Sequence, residues 1–304
     1  MPFYKYEELT WPDFAGFDRD KTIIFVPIAP IEEHGPHLPM GVDFFNSVYF
    51  CEQGAKQIAG KFSDFNTIVY PGIPVGSDCF RFPGTMDLSP RAVYLVAKSM
   101  GRNLIRDGFK YVIFIALHGG PKHIAALEQA CRELCRGKKI SALAPFGQIL
   151  IDMFTKRDFA EIAKGRELSD DEWYKFERDL HAGFIETSLM LKIKPGLVKN
   201  AYKLAKDYPL KLFEMRHHPF KRFENWQGQL GYPSLATEEQ GELLSHNLLK
   251  YFTGFLEKWI NGENLKKYNR SLSSKALIFN VNFTRWVVLI TIFVLSLIAY
   301  FIFT

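Results

Sequence analysis

The sequence predicts an α/β domain in which a doubly wound, mostly parallel sheet is flanked by helices. Four short apolar runs, rich in β-branched and aromatic residues, are typical of buried parallel strands, and they occupy residues 22–27, 67–70, 111–116 and 140–144. Residues 44–60, 91–108 and 123–136 carry apolar residues at helical spacing, and Gly60, Gly108 and Gly137 stand where C-terminal caps belong. Strands that alternate with helices in this way indicate the doubly wound class.

The chain length favours one globular domain, which we expect to cover residues 1–255. The chain has 304 residues, and no Pro/Gly/Ser-rich linker divides them. Hydrophobic residues make up 47% and charged residues 23%, a balance that supports a folded core and excludes a disordered chain. Residues 151–180 break the alternation with mixed charges. They are either an excursion that covers the functional site or a solvated surface helix.

The net charge argues against a nucleic-acid partner. It is +5, and residues 256–285 account for +4 of it, so the globular part is nearly neutral and shows no stripe of basic residues that would follow a phosphate backbone.

The four cysteines are too few to form the disulfide framework of a small secreted protein. Cys131 and Cys135 lie one helical turn apart, and together with Cys79 they are compatible with a zinc site. The alternative is that they are buried, small apolar side chains.

Residues 286–304 form a run of 19 residues without a charge. At 1.5 Å per residue a helix of this length nearly crosses a hydrocarbon core of about 30 Å, so we expect a transmembrane helix; a buried core helix is the alternative. The basic residues precede the run, which predicts a single-pass C-terminal anchor with the domain in the cytoplasm. Residues 256–285 then form a basic juxtamembrane linker, and we expect no secretory signal at the N-terminus.

The segment most informative about chemistry covers residues 31–43 and follows the first predicted strand. Glu32 and His34 are two residues apart, so an extended backbone points both to one side. Pro36, Pro39 and Gly41 predict a stiff loop that returns Asp43 toward the same point. Ligands of open α/β sheets are held beyond the carboxyl ends of the strands, where this segment lies.

Two further segments add candidate groups. His118 follows the predicted strand 111–116, and the N–H groups of Gly119 and Gly120 are suited to a developing oxyanion. In residues 179–188, His181 stands in a loop and Glu186 in the first turns of a predicted helix. One of these two is a candidate ligand and the other a candidate acid/base.

Together these groups favour a site for two divalent metal ions. Glu32, Asp43 and Glu186 supply three negative charges, and with a bridging hydroxide they balance two divalent cations. A carboxylate such as Asp43 can bridge ions about 3.5–4 Å apart. Mixed histidine and carboxylate ligands suit Zn²⁺, Mn²⁺ or Fe²⁺. Taken singly, such a histidine is more often a hydrogen-bonded loop residue and such a glutamate more often solvated; the joint placement favours a site.

The pattern E-x-H-G-P-H-L-P-x-x-x-D at residues 32–43 resembles the first metal motif of the creatininase (creatinine amidohydrolase) family. Further matches follow in order: residues 82–85 resemble its FPGT turn, residues 118–120 its GHGGN segment and residues 179–188 its D-x-HAG-x-x-ETS segment. Residues 231–241 are similar to its closing pattern. The resemblance covers about residues 7–250.

The resemblance implies a creatininase-like α/β domain with a dinuclear metal centre. A metal-bridging hydroxide would hydrolyse the C–N bond of a cyclic or linear small-molecule amide, usually in a homo-oligomer. By the same resemblance Asp43 would bridge the two ions, His181 would be the acid/base, and Ser77, Gly119 and Gly120 would contact the substrate. The metal ligands that it implies are Glu32, His34, Asp43, His118 and Glu186.

This sequence departs from the family pattern around the second motif. Pro121 replaces the asparagine after HGG, Leu117 the glycine before the histidine, and Phe184 a glutamate common after HAG. In creatininase proper a glutamate matches Gly120. Pro121, Leu117 and Phe184 line the substrate side, which argues against creatinine itself as the substrate. Two alternatives to a membrane-tethered amidohydrolase stay open: a peptidase acting on a modified peptide, and a non-catalytic membrane-anchored scaffold of the same fold.

Overall fold

A computed structural model describes residues 3–137, 140–217 and 223–303 of the chain. In this part the strands form one parallel sheet in the order β1-β3-β2-β4-β5. The strands are Tyr4–Lys5 (β1), Thr22–Pro27 (β2), Asn66–Val69 (β3), Tyr111–Ile115 (β4) and Ser141–Leu143 (β5). The predicted parallel α/β sheet is therefore confirmed. The sequence did not predict β1, because two exposed residues carry no apolar pattern.

Helices connect the strands and complete the domain. The α-helices are Trp11–Gly16 (α1), Val42–Lys61 (α2), Pro90–Arg106 (α3), Pro121–Cys135 (α4), Phe146–Thr155 (α5), Arg157–Lys164 (α6), Asp170–Phe176 (α7), Phe184–Ile193 (α8), Glu238–Ile260 (α9), Leu272–Lys275 (α10) and Phe283–Phe303 (α11). Short 3₁₀ helices lie at Tyr6–Glu8, Pro195–Leu197, Asn200–Leu204, Leu212–His217, Pro233–Leu235, Lys266–Asn269 and Leu277–Phe279.

The central strand β2 is buried on both faces, and its alternating side chains enter two separate cores. Ile24 and Val26 belong to the apolar cluster that includes residues of α3 and α4. Ile23 and Phe25 belong to a second cluster, with residues of α2 and α9. The sheet is thus flanked by helices on both faces, as the continuous apolar runs predict.

The predicted helices correspond to α2, α3 and α4, but only two of the three glycine caps are present. Gly108 and Gly137 follow helix ends and have φ values of +95° and +66°, which suit glycine. The expectation of a cap at Gly60 is wrong, because α2 continues through Lys61 and ends against Phe62.

The charged excursion at residues 151–180 contains the second half of α5 and all of α6 and α7. Its apolar side chains, with those of α8 and α9, form a third cluster beside the sheet. The amphipathic pattern of these helices therefore builds a separate lobe of the core.

The segment after α9, predicted as a linker, packs on the domain. The backbone N–H of Ala144 donates to Asn269 Oδ1 at 2.8 Å, and Asn269 Nδ2 donates to the carbonyl of Ala142 at 2.8 Å. The N–H of Ser271 donates to Glu128 Oε2 at 3.0 Å. Asn269 and Ser271 are buried, so this stretch is held against α4 and β5 instead of running free.

The predicted membrane anchor requires correction. A bilayer crossing needs about 20 consecutive apolar residues in one helix. Over the residues that the structure describes, no helix combines the necessary length and apolar character. The predicted localisation, a single-pass anchor at residues 286–304 with the catalytic domain in the cytoplasm, is therefore wrong. Side chains at residues 299 and 301–304 lie outside the described part.

The close packing of α3 on α4 gives a test of the fold. A Cβ added at Gly101 would press on the buried Leu134 side chain, whereas one added at Gly60 would meet open space. We expect Gly101→Ala to lower the free energy of unfolding by about 1–3 kcal/mol. The matched change Gly60→Ala should raise it by about 0.5–1 kcal/mol, because alanine favours a helix. Denaturant titrations measure both, and equal effects would contradict the observed α3–α4 contact.

Candidate metal centre

The strand order places the ends of β2 and β4 side by side. Pro27 and Ile115, the last residues of the two strands, are paired in register. The chain leaves β2 toward β3 on one side, while β4 lies on the other, so the ends of β2 and β4 flank the crevice that binds ligands in open α/β sheets. Glu32 and His34 follow β2, and His118 follows β4.

The loop after β2 returns the chain to its own start. Gly35 has a φ of +67°, a conformation that favours glycine, and the N–H of Glu32 donates to the carbonyl of Met40 at 2.9 Å. Helix α2 then begins at Val42, so Asp43 lies in its first turn beside Glu32 and His34. The return of Asp43 is the one that the prolines and glycines predict.

The Asp43 carboxylate lies between two histidines. Its Oδ1 is 3.3 Å from His34 Nε2, and its Oδ2 is 3.0 Å from His118 Nδ1. Glu32 Oε2 is 3.1 Å from the same nitrogen of His118. These four side chains are at most 5% exposed. The structure therefore brings together four of the five ligands that the sequence predicts, with one carboxylate shared by both sides.

Backbone carbonyls fix the orientation of the two imidazoles. His118 Nε2 donates to the carbonyl of Ser77 at 3.0 Å, and His34 Nδ1 donates to the carbonyl of Glu32 at 3.1 Å. Because a carbonyl only accepts, one N–H of each ring is directed to it, and the other ring nitrogen faces the carboxylates, where it can hold a proton or, after losing that proton, a metal ion. The N–H of Phe80 also holds Glu32, by donating to its Oε1 at 2.6 Å.

Glu186, the fifth predicted ligand, is positioned by the start of α8. The buried Asp179 carboxylate accepts from the N–H groups of Phe184 and Ile185, each at 2.8 Å, and so anchors the helix N-terminus. Glu186 accepts from the N–H of Ala182 at 2.5 Å. Its Oε2 lies 3.6 Å from His34 Nε2, which brings it to the second side of Asp43.

His181, the predicted acid/base, packs against His34 with 4.2 Å between the ring centroids. Its Nε2 donates to the carbonyl of Glu33 at 2.9 Å, and Glu33 Oε1 lies 3.5 Å away. The space for the Glu33 carboxylate depends on Gly228, where φ is +108° and any Cβ would overlap Glu33 Oε2.

The donors fit cations. Glu32 Oε2, His34 Nε2 and Asp43 Oδ2 are buried and lack a hydrogen-bond partner among the described residues, although they lie close to one another. A buried polar atom left unpaired costs about 1–3 kcal/mol, which a bound cation would relieve. Two groups of potential ligands occur here, each with its atoms within 4.8 Å. They are Glu32, Cys79 and His118, and His34, His181 and Glu186.

Electrostatics give the same conclusion. Burial opposes protonation of His34, but the charges of Asp43 and Glu186 outweigh that cost and raise its pKa to about 10. Burial likewise opposes protonation of His118, yet Glu32 and Asp43 raise its pKa well above the ordinary value. The site therefore holds more negative charge than its neutral histidines can balance, and it attracts protons or cations.

Of the three predicted substrate contacts, Gly119 and Gly120 line a cavity and Ser77 does not. This cavity has a volume of about 1100 Å³ and reaches Glu32, Asp43, His118, His181 and Glu186. A Cβ at Gly120 would press on His118 Nε2 and the carbonyl of Ser77, so a glutamate has no room there. Ser77 is not among the lining residues, and its carbonyl orients His118 instead.

Of the three residues that depart from the family pattern, two line the cavity and one does not. Leu117 and Pro121 line the cavity, as the sequence predicts. Phe184 does not, because its ring packs against Phe176 in the core with 6.0 Å between centroids.

The cysteines do not form one site. Cys131 is fully buried in the core, and the Sγ of Cys135 contacts the carbonyl of Ala142 at 3.6 Å. Only Cys79 lies beside a candidate ligand group in the described part of the chain. Sequence reasoning missed this position because nothing in the spacing relates Cys79 to Glu32 and His118.

Comparisons with known proteins agree with this geometry. A family model described as creatinine amidohydrolase (Creatininase) matches residues 7–256. A creatinine amidohydrolase of Pseudomonas putida is 25% identical over 202 residues, which are 63% of this chain and 72% of that protein. A mycofactocin precursor peptide peptidase of Mycolicibacterium smegmatis is 25% identical over 246 residues, 78% of this chain and 85% of that protein.

Solved structures show the same fold. A creatininase in an Mn form has a TM-score of 0.63 at 20% identity, covering 85% of this chain and 99% of that one. A Zn–Zn form of a creatininase mutant has a TM-score of 0.62 at 21% identity, covering 86% and 99%.

Removal of the shared carboxylate tests the site. Because Asp43 faces both sides, Asp43→Asn should weaken binding of both ions by at least about 100-fold, more than the loss of an outlying partner. Metal content per chain after dialysis, measured by mass spectrometry, gives the result. The matched change Asp64→Asn, at an exposed carboxylate paired with Lys21, should leave metal content unchanged. Equal metal content in the Asp43 variant would contradict the shared site.

The pH dependence of metal binding follows from the two histidines. The pKa of each is raised in the metal-free protein, so both carry protons at neutral pH that a cation must displace. Apparent Zn²⁺ affinity should therefore increase as pH rises from about 6 to 9, by up to about tenfold per pH unit for each displaced proton. Calorimetry in buffers of different ionisation enthalpy measures the released protons. An affinity independent of pH would contradict this account.

Proposed function

Because the chain belongs to the creatininase family, we propose that it is a metal-dependent amidohydrolase that cleaves the C–N bond of an amide. The observation that carries the proposal is the Asp43 carboxylate, which lies within 3.3 Å of both His34 and His118. A carboxylate with one oxygen directed to each of two ligand groups suits a site for two metal ions, such as two-metal hydrolases have.

The proposed ligands form two sets that share Asp43. Glu32 and His118 complete one set, and His34 and Glu186 complete the other. Imidazole with carboxylate suits Zn²⁺, Mn²⁺ or Fe²⁺ better than Ca²⁺. When bound, two such ions supply a water-derived nucleophile at neutral pH and polarise the amide carbonyl.

His181 is the proposed proton donor to the leaving nitrogen. Its contact with the Glu33 carbonyl fixes the ring, and the nearby Glu33 carboxylate favours the protonated form. The ring also packs between His34 and Phe80, which limits its rotation. The backbone of Gly119 and Gly120 borders the cavity next to the proposed ligand His118.

A peptidase is the second candidate, and the size of the cavity favours it. About 1100 Å³ exceeds what a small cyclic amide occupies, and two curated relatives are mycofactocin precursor peptide peptidases. Parallel assays with cyclic amides, linear amides and peptides separate the two functions by the substrate with the highest kcat/KM.

A non-catalytic scaffold of the same fold is the third candidate. The retained, buried donor set argues against it, since such carboxylates are costly to keep without a cation. A protein purified with no stoichiometric metal and no affinity for Zn²⁺ or Mn²⁺ would support the scaffold.

Replacement of His181 separates proton donation from metal binding. We expect His181→Gln to lower kcat by about 10²–10⁴-fold, because the leaving nitrogen loses its proton donor, while both metal ions are retained. The matched change His246→Gln, at an exposed histidine of α9, should preserve kcat. Kinetics and metal content are measured on the same preparations. Loss of a metal ion from the His181 variant would make His181 a ligand and contradict the assigned role.

A further inference from the structure

The cavity beside the metal centre is apolar over most of its walls. The polar candidate ligands lie at one end, and the other walls come from α5, α9 and the segment after α9. The lining includes Leu150, Met153, Phe154, Leu248, Ile278 and Phe279. Nothing in the catalytic site itself requires walls of this kind.

The volume and chemistry of the cavity restrict its occupant. At about 1100 Å³ it exceeds the usual range for small-molecule sites, roughly 300–1000 Å³. Few polar side chains, among them Tyr251, Ser273 and Lys275, line the cavity apart from the candidate ligands, so a compact polar amide would fill only the metal end. An apolar chain gains free energy from every methylene that it removes from water.

The apolar walls formed by α5 and residues 272–279 lie toward His118, while Leu180 and Ile185 line the cavity on the side of His181. A Cβ at Gly119 would stand 3.6 Å from Leu150 Cδ2, so this glycine borders the α5 wall directly. Helices α5 and α10 both contact α4, which begins immediately after Gly120. His181 belongs to the opposite group, with His34 and Glu186.

The position of the α5 wall beside Gly119 orients the substrate. If His181 protonates the leaving nitrogen, the nitrogen side of the amide faces His181. The acyl side then faces His118 and the α5 wall, because the two sides of an amide carbonyl point in opposite directions.

We propose that the substrate is an N-acyl amide whose acyl group is an extended apolar chain, seated between α5 and residues 272–279. The inference rests on the proposed hydrolase function and adds the substrate class. In the balanced reaction, RCONHR′ + H₂O → RCOOH + R′NH₂, the C–N bond breaks, the water oxygen bonds to the carbonyl carbon, and the nitrogen takes up a proton.

Two homologous series of substrates test the proposal. In the first, acyl p-nitroanilides extend from acetyl to decanoyl with a constant amine. We expect kcat/KM to rise about three- to fourfold per methylene until the cavity is filled. In the second, acetamides carry N-alkyl groups of increasing length. We expect no comparable rise, and a steeper rise in this series than in the first would overturn the orientation.

Variants that fill the cavity test the location. Leu150→Trp, or the less buried Ile149→Trp if the first fails to fold, should lower the decanoyl-to-acetyl ratio of kcat/KM at least about tenfold. Leu204→Trp, at a side chain 93% exposed, is the matched control and should keep the ratio. A ratio unchanged in the folded cavity variant would overturn the location.

Binding of the product gives a readout that does not depend on turnover. Calorimetry should show decanoate binding to the full-length protein at least about tenfold more tightly than acetate, and the Leu150 or Ile149 variant should lose this difference. Equal binding of the two acids would overturn the proposal. Turnover without dependence on acyl length would overturn only the substrate class. No turnover of any amide by the metal-loaded protein would overturn the proposed function as well.

Discussion

The site depends on the burial of carboxylates that have no fixed cation beside them. Glu32 and Asp43 are 1% exposed, and the groups beside them that could carry positive charge are histidines. A histidine with its ordinary pKa of about 6.5 is mostly neutral at neutral pH. Removing carboxylates from water is expensive unless positive charge accompanies them. The domain can therefore keep this arrangement only by holding protons on its histidines or by binding metal ions, and the surrounding polypeptide is organised around that requirement.

Much of that organisation is carried by backbone groups. Carbonyls of Glu32, Ser77 and Glu33 fix the three imidazoles, and N–H groups of Phe80 and Ala182 fix two of the carboxylates. Each of these groups lies in a loop beyond a strand or just before a helix. The strands and helices on either side of the loops fix the positions of these side chains. The packed sheet therefore orients the site, although none of its own side chains takes part in the chemistry.

The sequence predicts the central part of this arrangement because local rules determine it. Glu32, His34 and His118 follow apolar strands, and proline and glycine return Asp43 within one loop. What the sequence does not predict depends on contacts between distant segments, which leave no periodic pattern. The pairing of Glu33 with His181, the clearance at Gly228 and the position of Cys79 are of this kind.

The error at the C-terminal end has a related cause. The uncharged apolar run predicts a membrane span, and the basic stretch before it predicts a linker. Composition alone cannot indicate that the polar side chain of Asn269 pairs with the backbone of Ala142 and Ala144. The two hydrogen bonds of this asparagine hold the stretch against the domain, where a free linker would have no such contacts.

Because residues 266–282 pack on the domain, part of the cavity wall lies in a different stretch of the chain from the proposed catalytic residues. The ligands and His181 lie within the region that the family model matches, residues 7–256, whereas Leu272, Ile278 and Phe279 form part of the cavity beyond it. Mutations in this late stretch can change which substrates fit the cavity without altering the proposed ligands or His181. Part of the substrate selectivity therefore comes from a stretch of polypeptide that holds none of the proposed reactive groups, and that part can change in evolution without them.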